Sequence, residues 1–169
     1  MARVILILGG ARSGKSRHAE SLAEAHAGRR VYVATAEAGD EEMARRIAIH
    51  QARRGEGWRT VEEPLELIAT LRAVAAGDAF VLVDCVTLWL SNLMRAGRSI
   101  GQEVTDLCEI LPALPGHVCL VSNEVGLGIV PDTPLGRCFR DEAGFVNQML
   151  AQTADEALFM VAGLPLRLK

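Results

Sequence analysis

The sequence predicts an α/β fold, with one mostly parallel sheet that helices cover on both faces. Two observations predict this class. Four short apolar runs alternate with longer helical patterns, which is typical of βα units. Each run is continuously apolar, as expected of strands that are buried on both sides. With 169 residues and no linker, repeat or low-complexity segment, the chain is predicted to form a single domain, residues 1–169.

The predicted elements follow one another along the chain. The strand runs are VILIL (Val4–Leu8), VYVAT (Val31–Thr35), FVLVD (Phe80–Asp84) and VCLVS (Val118–Ser122). Helical patterns cover Lys15–Ala27, Glu41–Arg54, Pro64–Ala76, further stretches before His117, and Leu135–Asp155. The tail ALFMVAGLPLRLK divides into two apolar runs around Gly163, which predicts an antiparallel hairpin at the sheet edge. Gly97–Gly101 and the Pro131–Pro134 turn are predicted to be mobile surface loops.

Composition excludes several classes of protein. Half of the residues are hydrophobic and the formal net charge is −3, which disfavours a disordered chain and nucleic-acid binding through bulk charge. No apolar run approaches the roughly 18 residues that span a bilayer, and Val4–Leu8 is too short for a signal-peptide core. We therefore expect a soluble, cytoplasmic protein. The cysteines, Cys85, Cys108, Cys119 and Cys138, form no CxxC pair, and we expect buried, reduced thiols rather than a metal site.

The stretch GGARSGKS meets the spacing GxxxxGK[ST] between a predicted strand and a predicted helix. In such a phosphate-binding loop (P-loop), glycines let backbone N–H groups point at phosphate oxygens, and the helix N-terminus adds partial positive charge. Lys15 is expected to reach the β- and γ-phosphates, and Ser16 to bind Mg²⁺. The predicted nucleotide-binding residues here are Gly9, Gly10, Ala11, Arg12, Ser13, Gly14, Lys15 and Ser16. The motif predicts a P-loop NTPase that binds GTP or ATP, but it leaves the reaction open.

A second carboxylate is needed to hold the metal, directly or through water. Asp84 ends the apolar run FVLV, the place where a P-loop protein carries such a residue. The alternative is that Asp84 caps the helix that follows it. We favour the metal site.

The segment RRIAIHQARR, Arg45–Arg54, places a histidine among arginines. In a helix, Arg46, His50 and Arg54 share one face, and Arg53 lies three residues beyond His50. One interpretation is a solvated basic helix end, because cations complement a helix C-terminus. The other is catalytic: the arginines bind a polyphosphate and lower the pKa of His50, whose neutral imidazole can then attack phosphorus and form a phosphoramidate.

Several segments, taken together and in this order, resemble one family. They are GGARSGKSRHAE, the ATA of Ala34–Ala36, RRIAIHQARR followed by WRTVEEP, VDCVTLWLSNL, and SNEVGLGIVP. The combination is similar to the bifunctional adenosylcobinamide kinase/adenosylcobinamide-phosphate guanylyltransferase of cobalamin biosynthesis, and it covers essentially the whole chain. The resemblance implies a RecA-like P-loop fold and a homotrimer. The segment around Gly97–Gly101 is short for this family, so the resemblance does not assign corrinoid contacts to it.

The resemblance also implies two reactions. The family phosphorylates the aminopropanol hydroxyl of adenosylcobinamide with a nucleoside triphosphate, for which Lys15 is the predicted catalytic residue. It then transfers GMP from GTP to that phosphate through a guanylylated histidine, which matches His50, and releases pyrophosphate and adenosylcobinamide-GDP. Nucleotide contacts implied outside the P-loop are Ala34, Thr35, Ala36, Gln51, Ala52, Arg53, Arg54, Glu62 and Asp84.

The residues alone leave alternatives open. A simple small-molecule kinase needs the basic helix only to bind substrate phosphate. A GTP-dependent switch is disfavoured because Ser122–Asn123–Glu124 lacks the lysine and aspartate of an NKxD guanine motif. SNEVGLGIVP is expected to form a loop at the edge of the active site. Within it, Glu124 either contacts a metal or hydroxyl or belongs to a plain β-to-α connection.

Overall fold

The structure, a computed structural model, describes residues 3–36, 55 and 57–169. Its strands are β1 (Arg3–Gly9), β2 (Arg29–Ala34), β3 (Trp58–Glu62), β4 (Ala79–Asp84), β5 (His117–Val121), β6 (Glu156–Val161) and β7 (Leu164–Arg167). The helices are α1 (Lys15–Glu24), α2 (Leu67–Val74), α3 (Val86–Arg95), α4 (Ile100–Ile110) and α5 (Pro134–Thr153), and a 3₁₀ turn, Leu111–Ala113, follows α4. Among these described residues no helix has the length and apolar character needed to cross a membrane.

The strands form one seven-stranded sheet in the order β3-β2-β4-β5-β1-β6-β7. Pairing is parallel from β3 through β6, and β7 pairs antiparallel with β6 as the outer strand of a hairpin. The predicted fold class is therefore confirmed, including the hairpin at the sheet edge. Because strands β1 to β6 run in the same direction, their carboxyl ends meet at one edge of the sheet.

The described helices pack on both faces of the sheet, four on one face and α1 on the other. Alternate residues of the central strands, such as Leu6 and Val81, pack against α2, α3, α4 and α5 in one cluster. The residues between them, such as Ile7 and Leu82, pack against Ala19 of α1 in the other cluster. Burial on both faces explains why these strands appear in the sequence as continuously apolar runs.

Strand β3 was not predicted from the sequence. Its segment WRTVE mixes polar and apolar residues, and Arg59, Thr60 and Glu62 are exposed. The sheet order explains this, since β3 lies at an edge of the sheet and β2 is its one neighbour among the described strands. An edge strand needs no continuous apolar run, so the criterion that found the other strands missed this one.

Several predicted boundaries change, and one predicted element falls outside the described part of the chain. The predicted helix Lys15–Ala27 ends earlier, because α1 ends at Glu24. The predicted helix Pro64–Ala76 is shorter, because the Glu63 carboxylate accepts the Leu65 and Glu66 N–H groups at 3.0 and 2.8 Å in a turn before α2. The predicted loop Gly97–Gly101 ends earlier than expected, because α4 begins at Ile100. The predicted helix Glu41–Arg54 lies outside the described residues.

Candidate active site

The P-loop joins the end of β1 to the start of α1 through backbone conformations that require glycine. Gly9 and Gly14 have φ angles of 149° and 97°, in the region that favours glycine. A Cβ at Gly9 would lie 2.7 Å from the Ser13 hydroxyl and 2.8 Å from the Met160 carbonyl oxygen. Contacts this short exclude a side chain at Gly9, so the spacing that identified the motif reflects a steric requirement.

Lys15 is buried within this loop, with only 7% of the residue exposed. Its Nζ donates a hydrogen bond of 2.6 Å to the carbonyl oxygen of Gly10, across the turn. Burial lowers the pKa of Lys15, while the nearby Cys85 and Asp84 act in the opposite direction. The Ser13 hydroxyl is also buried and has no hydrogen-bond partner in the described part of the chain. The loop therefore presents a positive charge and an unused hydroxyl donor.

Asp84 ends β4 on the face of the sheet that α1 covers. Its Oδ2 is buried and has no hydrogen-bond partner among residues 3–36, 55 and 57–169. The N-cap residue of α3 is Cys85, without a side-chain capping bond, so Asp84 does not fill the capping role considered above. A buried carboxylate oxygen without a donor fits a hard cation such as Mg²⁺. The hydroxyl of Ser16, the other predicted ligand, lies in the first turn of α1.

Strand pairing brings several predicted site residues into one row along the carboxyl edge. Ala34 pairs with Glu62 on one side and with Asp84 on the other. Asp84 in turn pairs with Val121, which pairs with Ile7 of β1. Because neighbouring strands lie about 4.8 Å apart, Asp84 is two strands, or about 10 Å, from both Glu62 and β1. The exposed Glu62 is thus at the outer end of this edge.

Thr35, which the resemblance implies as a nucleotide contact, uses its side chain inside the protein. It is fully buried, and its hydroxyl donates to the Cys85 carbonyl oxygen at 2.7 Å and accepts the Cys85 N–H at 2.9 Å. The Asn92 amide donates to the Thr35 carbonyl oxygen at 2.8 Å. Thr35 therefore ties the end of β2 to the end of β4 beside Asp84. Nucleotide contacts by Ala34 and Ala36 on either side of it stay predictions.

The loop after β5 lies directly beside the P-loop, as the motif SNEVGLGIVP predicted. The Ser122 N–H donates to Ile7 O at 2.9 Å, and the Glu124 N–H donates to Gly9 O at 3.0 Å. The Glu124 carboxylate accepts the Gly126 N–H at 2.7 Å and so stabilises a turn of its own loop. This bond gives Glu124 a structural role in the connection between β5 and α5.

Sequence reasoning missed a buried polar network beneath this loop. The Thr87 hydroxyl accepts the Asn123 N–H at 2.7 Å, and the Asn147 amide donates to Asn123 O at 3.2 Å. The Ser122 hydroxyl donates to Asn147 Oδ1 at 2.7 Å. Thr87 lies in the first turn of α3 and Asn147 lies in α5. The partners therefore come from distant parts of the chain, and no local pattern in the sequence indicates their pairing.

The C-terminal hairpin contacts the P-loop, a contact that the sequence did not predict. Ala162 and Gly163 form its turn with φ angles of 51° and 83°. The Gly163 N–H donates to the Ser13 carbonyl oxygen at 3.0 Å. A Cβ at Gly14 would lie 3.2 Å from Gly163 Cα, so this close approach depends on a bare backbone at Gly14. The hairpin therefore supports the phosphate loop in addition to closing the sheet edge.

The expectation that all the cysteines are buried is wrong for two of them. All four thiols are free, but Cys138 is exposed and Cys108 is only half-buried. Burial raises the pKa of Cys85 to about 12 and also raises that of Cys119.

Residues 3–36, 55 and 57–169 contain no group of three or more His, Cys, Asp or Glu side chains that could hold a metal ion. The predicted residues His50, Gln51, Ala52, Arg53 and Arg54 lie outside the described residues.

Comparisons with known proteins agree with this site. A family model described as cobinamide kinase / cobinamide phosphate guanyltransferase matches residues 5–168. The bifunctional adenosylcobalamin biosynthesis protein CobP of Pseudomonas aeruginosa is 55% identical over 167 residues, which cover 97% of this chain and 96% of that protein. The bifunctional adenosylcobalamin biosynthesis protein CobU of Escherichia coli is 40% identical over 181 residues, covering 98% of this chain and 99% of that protein.

Among solved structures, an ATP synthase subunit, NeqB from Nanoarcheaum equitans, has a TM-score of 0.53 with 10% sequence identity. The match covers 94% of this chain and 45% of that one, and it concerns the fold alone. Together with the sheet order and the P-loop, it supports the predicted RecA-like P-loop fold.

Proposed function

The chain belongs to the cobinamide kinase / cobinamide phosphate guanyltransferase family, and we propose that it catalyses both reactions in cobalamin biosynthesis. It phosphorylates the aminopropanol hydroxyl of adenosylcobinamide with a nucleoside triphosphate. It then transfers GMP from GTP to that phosphate and releases pyrophosphate and adenosylcobinamide-GDP. The observation that carries the proposal is a buried P-loop lysine near Asp84, whose buried Oδ2 has no hydrogen-bond partner among the described residues, in a chain that matches the family over residues 5–168. The guanyltransferase half of the family description disfavours a simple kinase.

The kinase reaction uses the P-loop mainly to position and neutralise the triphosphate. Backbone N–H groups at the start of α1 point toward phosphate oxygens, and Lys15 places its ammonium group over the turn, 2.6 Å from Gly10 O. The transferred phosphoryl group needs charge stabilisation and alignment more than a strong base. Gly9 and Gly14 leave room for this close approach because neither carries a side chain.

Mg²⁺ is proposed as the accompanying cation. The hydroxyl of Ser16 and the unpartnered Oδ2 of Asp84 are the oxygen donors that would hold it, directly or through water. When bound, the cation supplies positive charge to the β- and γ-phosphates. Thr35 supports this arrangement, because its hydrogen bonds to Cys85 fix the backbone next to Asp84.

Guanylyl transfer requires a nucleophile that attacks the α-phosphorus of GTP, and we propose His50. The imidazole would form a phosphoramidate with GMP as pyrophosphate leaves with the bonding electron pair, and the phosphate of adenosylcobinamide phosphate would then displace the imidazole. Arg53 and Arg54 are the proposed cations for the departing charge, with Gln51 and Ala52 as further nucleotide contacts. This assignment rests on the sequence of Arg45–Arg54 and on the family.

Incubation with α-labelled GTP tests the proposal directly. The wild-type protein should retain label through denaturation, and the adduct should be acid-labile and base-stable, as a phosphoramidate is. His50→Asn should bind GTP and phosphorylate adenosylcobinamide but should form no adduct. An adduct that persists in His50→Asn, or that survives mild acid in the wild type, identifies a different nucleophile. If the wild-type protein never becomes labelled, the proposed guanylyl transfer through a covalent adduct is wrong and only the kinase reaction of the proposal is left.

We further propose a homotrimer of single-domain chains in the cytoplasm. The hairpin edge supports an interface, because Leu164, Leu166 and Leu168 are 71%, 57% and 57% exposed on or beside β7. An exposed apolar edge strand is a site of association between chains. Light scattering should give three times the chain mass, and Leu166→Lys should shift the protein toward monomer. A monomeric wild-type protein would contradict the assembly without affecting the assignment of the two reactions.

A further inference from the structure

We propose that Asn123 is a catalytic residue of the kinase reaction, and that its side-chain amide donates a hydrogen bond to the transferred γ-phosphoryl group. The inference rests on the proposed function, since it requires a triphosphate in the P-loop. Asn123 is the second residue after β5. That strand lies between β1, which leads into the P-loop, and β4, which ends at Asp84. Asn123 therefore follows the strand that separates the two halves of the phosphate site.

The alternation of β5 places the Asn123 side chain on the same face as the P-loop helix. Cys119 and Val121 belong to the cluster that packs against α1, whereas Val118 and Leu120 belong to the opposite cluster. The β1–β5 ladder continues beyond the end of the strand through two further N–H···O bonds, to Ile7 and Gly9. The chain is thus extended through residues 122–124, and Asn123 follows Val121 on the α1 face.

Asp84 shares this face by the same rule. Phe80 and Leu82 pack in the α1 cluster, and Asp84 continues their alternation at the end of β4. Asp84 pairs with Val121. Asn123 comes two residues after Val121 and is therefore the diagonal neighbour of Asp84 on the adjacent strand. On the other side, continuation of the pairing of Ile7 with Val121 brings Asn123 beside Gly9, the first residue of the P-loop. Asn123 therefore lies between the phosphate loop and the acidic residue.

The backbone of Asn123 is fixed on both sides by buried side chains. Thr87 Oγ1 accepts its N–H at 2.7 Å, and Asn147 Nδ2 donates to its carbonyl oxygen at 3.2 Å. Thr87 and Asn147 are 7% and 6% exposed. A group whose backbone is held in this way is already oriented before substrate binds, which is what stabilisation of a transition state requires. Thr87 and Asn147 are accordingly positioning residues.

The side chain of Asn123 is free to serve a ligand. Its amide makes no hydrogen bond within the described part of the chain, and the residue is half-buried. The two buried asparagines differ, because Asn92 donates to the Thr35 and Pro64 carbonyl oxygens and Asn147 bridges Ser122 and Asn123. An amide supplies two N–H donors without a charge. Such donors suit the oxygens of a phosphoryl group.

In the kinase step, the acceptor hydroxyl oxygen forms a bond to the γ-phosphorus. The bond from that phosphorus to the β–γ bridging oxygen breaks, its electron pair leaves with the nucleoside diphosphate, and the hydroxyl proton is released to solvent. Throughout, negative charge is spread over the three equatorial γ-oxygens. A fixed N–H donor toward one of these oxygens stabilises the transition state, and removal of one such donor lowers kcat by about 100-fold or more.

Steady-state kinetics of Asn123→Ala test the inference. Kinase kcat should fall by about 100-fold, while the KM for nucleotide and the melting temperature stay near the wild-type values, because this side chain makes no hydrogen bond to another described residue. Adduct formation with α-labelled GTP should persist, since that reaction occurs at the α-phosphorus. Gln148→Ala removes an exposed amide from α5 and should change none of these quantities. Asn147→Ala should lower both the melting temperature and kinase kcat.

The outcomes separate two kinds of failure. A wild-type protein without kinase activity overturns the proposed function. A wild-type kinase with Asn123→Ala within about two-fold of its kcat overturns the role of Asn123 alone, since such a difference is below 0.5 kcal/mol. If Asn123→Ala loses kinase activity, adduct formation and thermal stability together, the proposed role of Asn123 is also overturned, because a combined loss of this kind is expected of a structural residue.

Discussion

Replacement of Thr35 by valine removes one hydroxyl from the junction of β2 and β4 and preserves the shape of the side chain. In the wild-type protein this hydroxyl donates to Cys85 O at 2.7 Å and accepts the Cys85 N–H at 2.9 Å. The Trp89 N–H also donates to Cys85 O, at 3.2 Å. Valine therefore leaves that oxygen with one partner, but it leaves the buried N–H of Cys85 with none.

The expected loss of stability follows from these bonds. A lost hydrogen bond contributes about 1 kcal/mol and an unsatisfied buried N–H about 1–3 kcal/mol, so Thr35→Val should lower the free energy of unfolding by about 2–4 kcal/mol. For a chain of this size, that corresponds to a fall of roughly 5–15 °C in melting temperature. Thr35→Ser keeps the hydroxyl and loses one methyl group, which costs about 1 kcal/mol.

Urea denaturation of both variants and the wild type gives the comparison. An unchanged slope with a lower midpoint marks a loss of stability without a change in the unfolded state. Thr35→Val should also weaken Mg²⁺-dependent GTP binding more than Thr35→Ser does, because Asp84 is the neighbour of the loosened peptide. If the two variants have equal stability within about 0.5 kcal/mol, the hydroxyl does not hold the two strands together and the reasoning fails.

Three further expectations concern charge. Lys15→Ala should reduce kinase turnover by about 100-fold or more and leave the protein folded; activity within a few-fold of wild type would refute its role. A hundredfold excess of Mg²⁺–GTP over Kd should stabilise the protein by about 2.7 kcal/mol, and Asp84→Asn should remove the Mg²⁺-dependent part of the shift in melting temperature. Burial, His26 and Arg3 lower the pKa of His117. The unfolded chain therefore binds more protons as the pH falls through about 6.5, and the free energy of unfolding should decrease there; His117→Gln should flatten this pH dependence.

The sheet could be predicted from the sequence largely because of where its strands lie. Strands β1, β2, β4 and β5 have neighbours on both sides and helices on both faces, so each appears as a continuous apolar run. The edge strand β3 lacks that signal. The predicted helix Leu135–Asp155 agrees with α5 within two residues at each end, and in the structure the Thr133 side chain caps its start, with Pro134 as its first residue.

Only the part of the candidate site that consecutive residues form could be predicted from the sequence. The P-loop motif occupies eight consecutive residues, and its glycines satisfy backbone requirements within that stretch. The side-chain hydrogen bonds beneath the neighbouring loop join residues 24 to 36 positions apart, as between Asn147 and Asn123 or Asn123 and Thr87. Neither a threonine at the start of a helix nor an asparagine within one indicates such a partner. These contacts arise from the packing of α3 and α5 against one face.

The sheet order brings together the residues proposed for γ-phosphoryl transfer. The residues assigned to γ-phosphoryl transfer follow β1, β4 and β5, which are adjacent interior strands with fixed backbone partners at their carboxyl ends. That rigidity suits a reaction that depends on alignment and charge. The nucleophile proposed for guanylyl transfer, His50, belongs to the sequence between β2 and β3, outside the described residues. A substitution in either group should therefore impair one reaction more than the other, as His50→Asn and Asn123→Ala are designed to show.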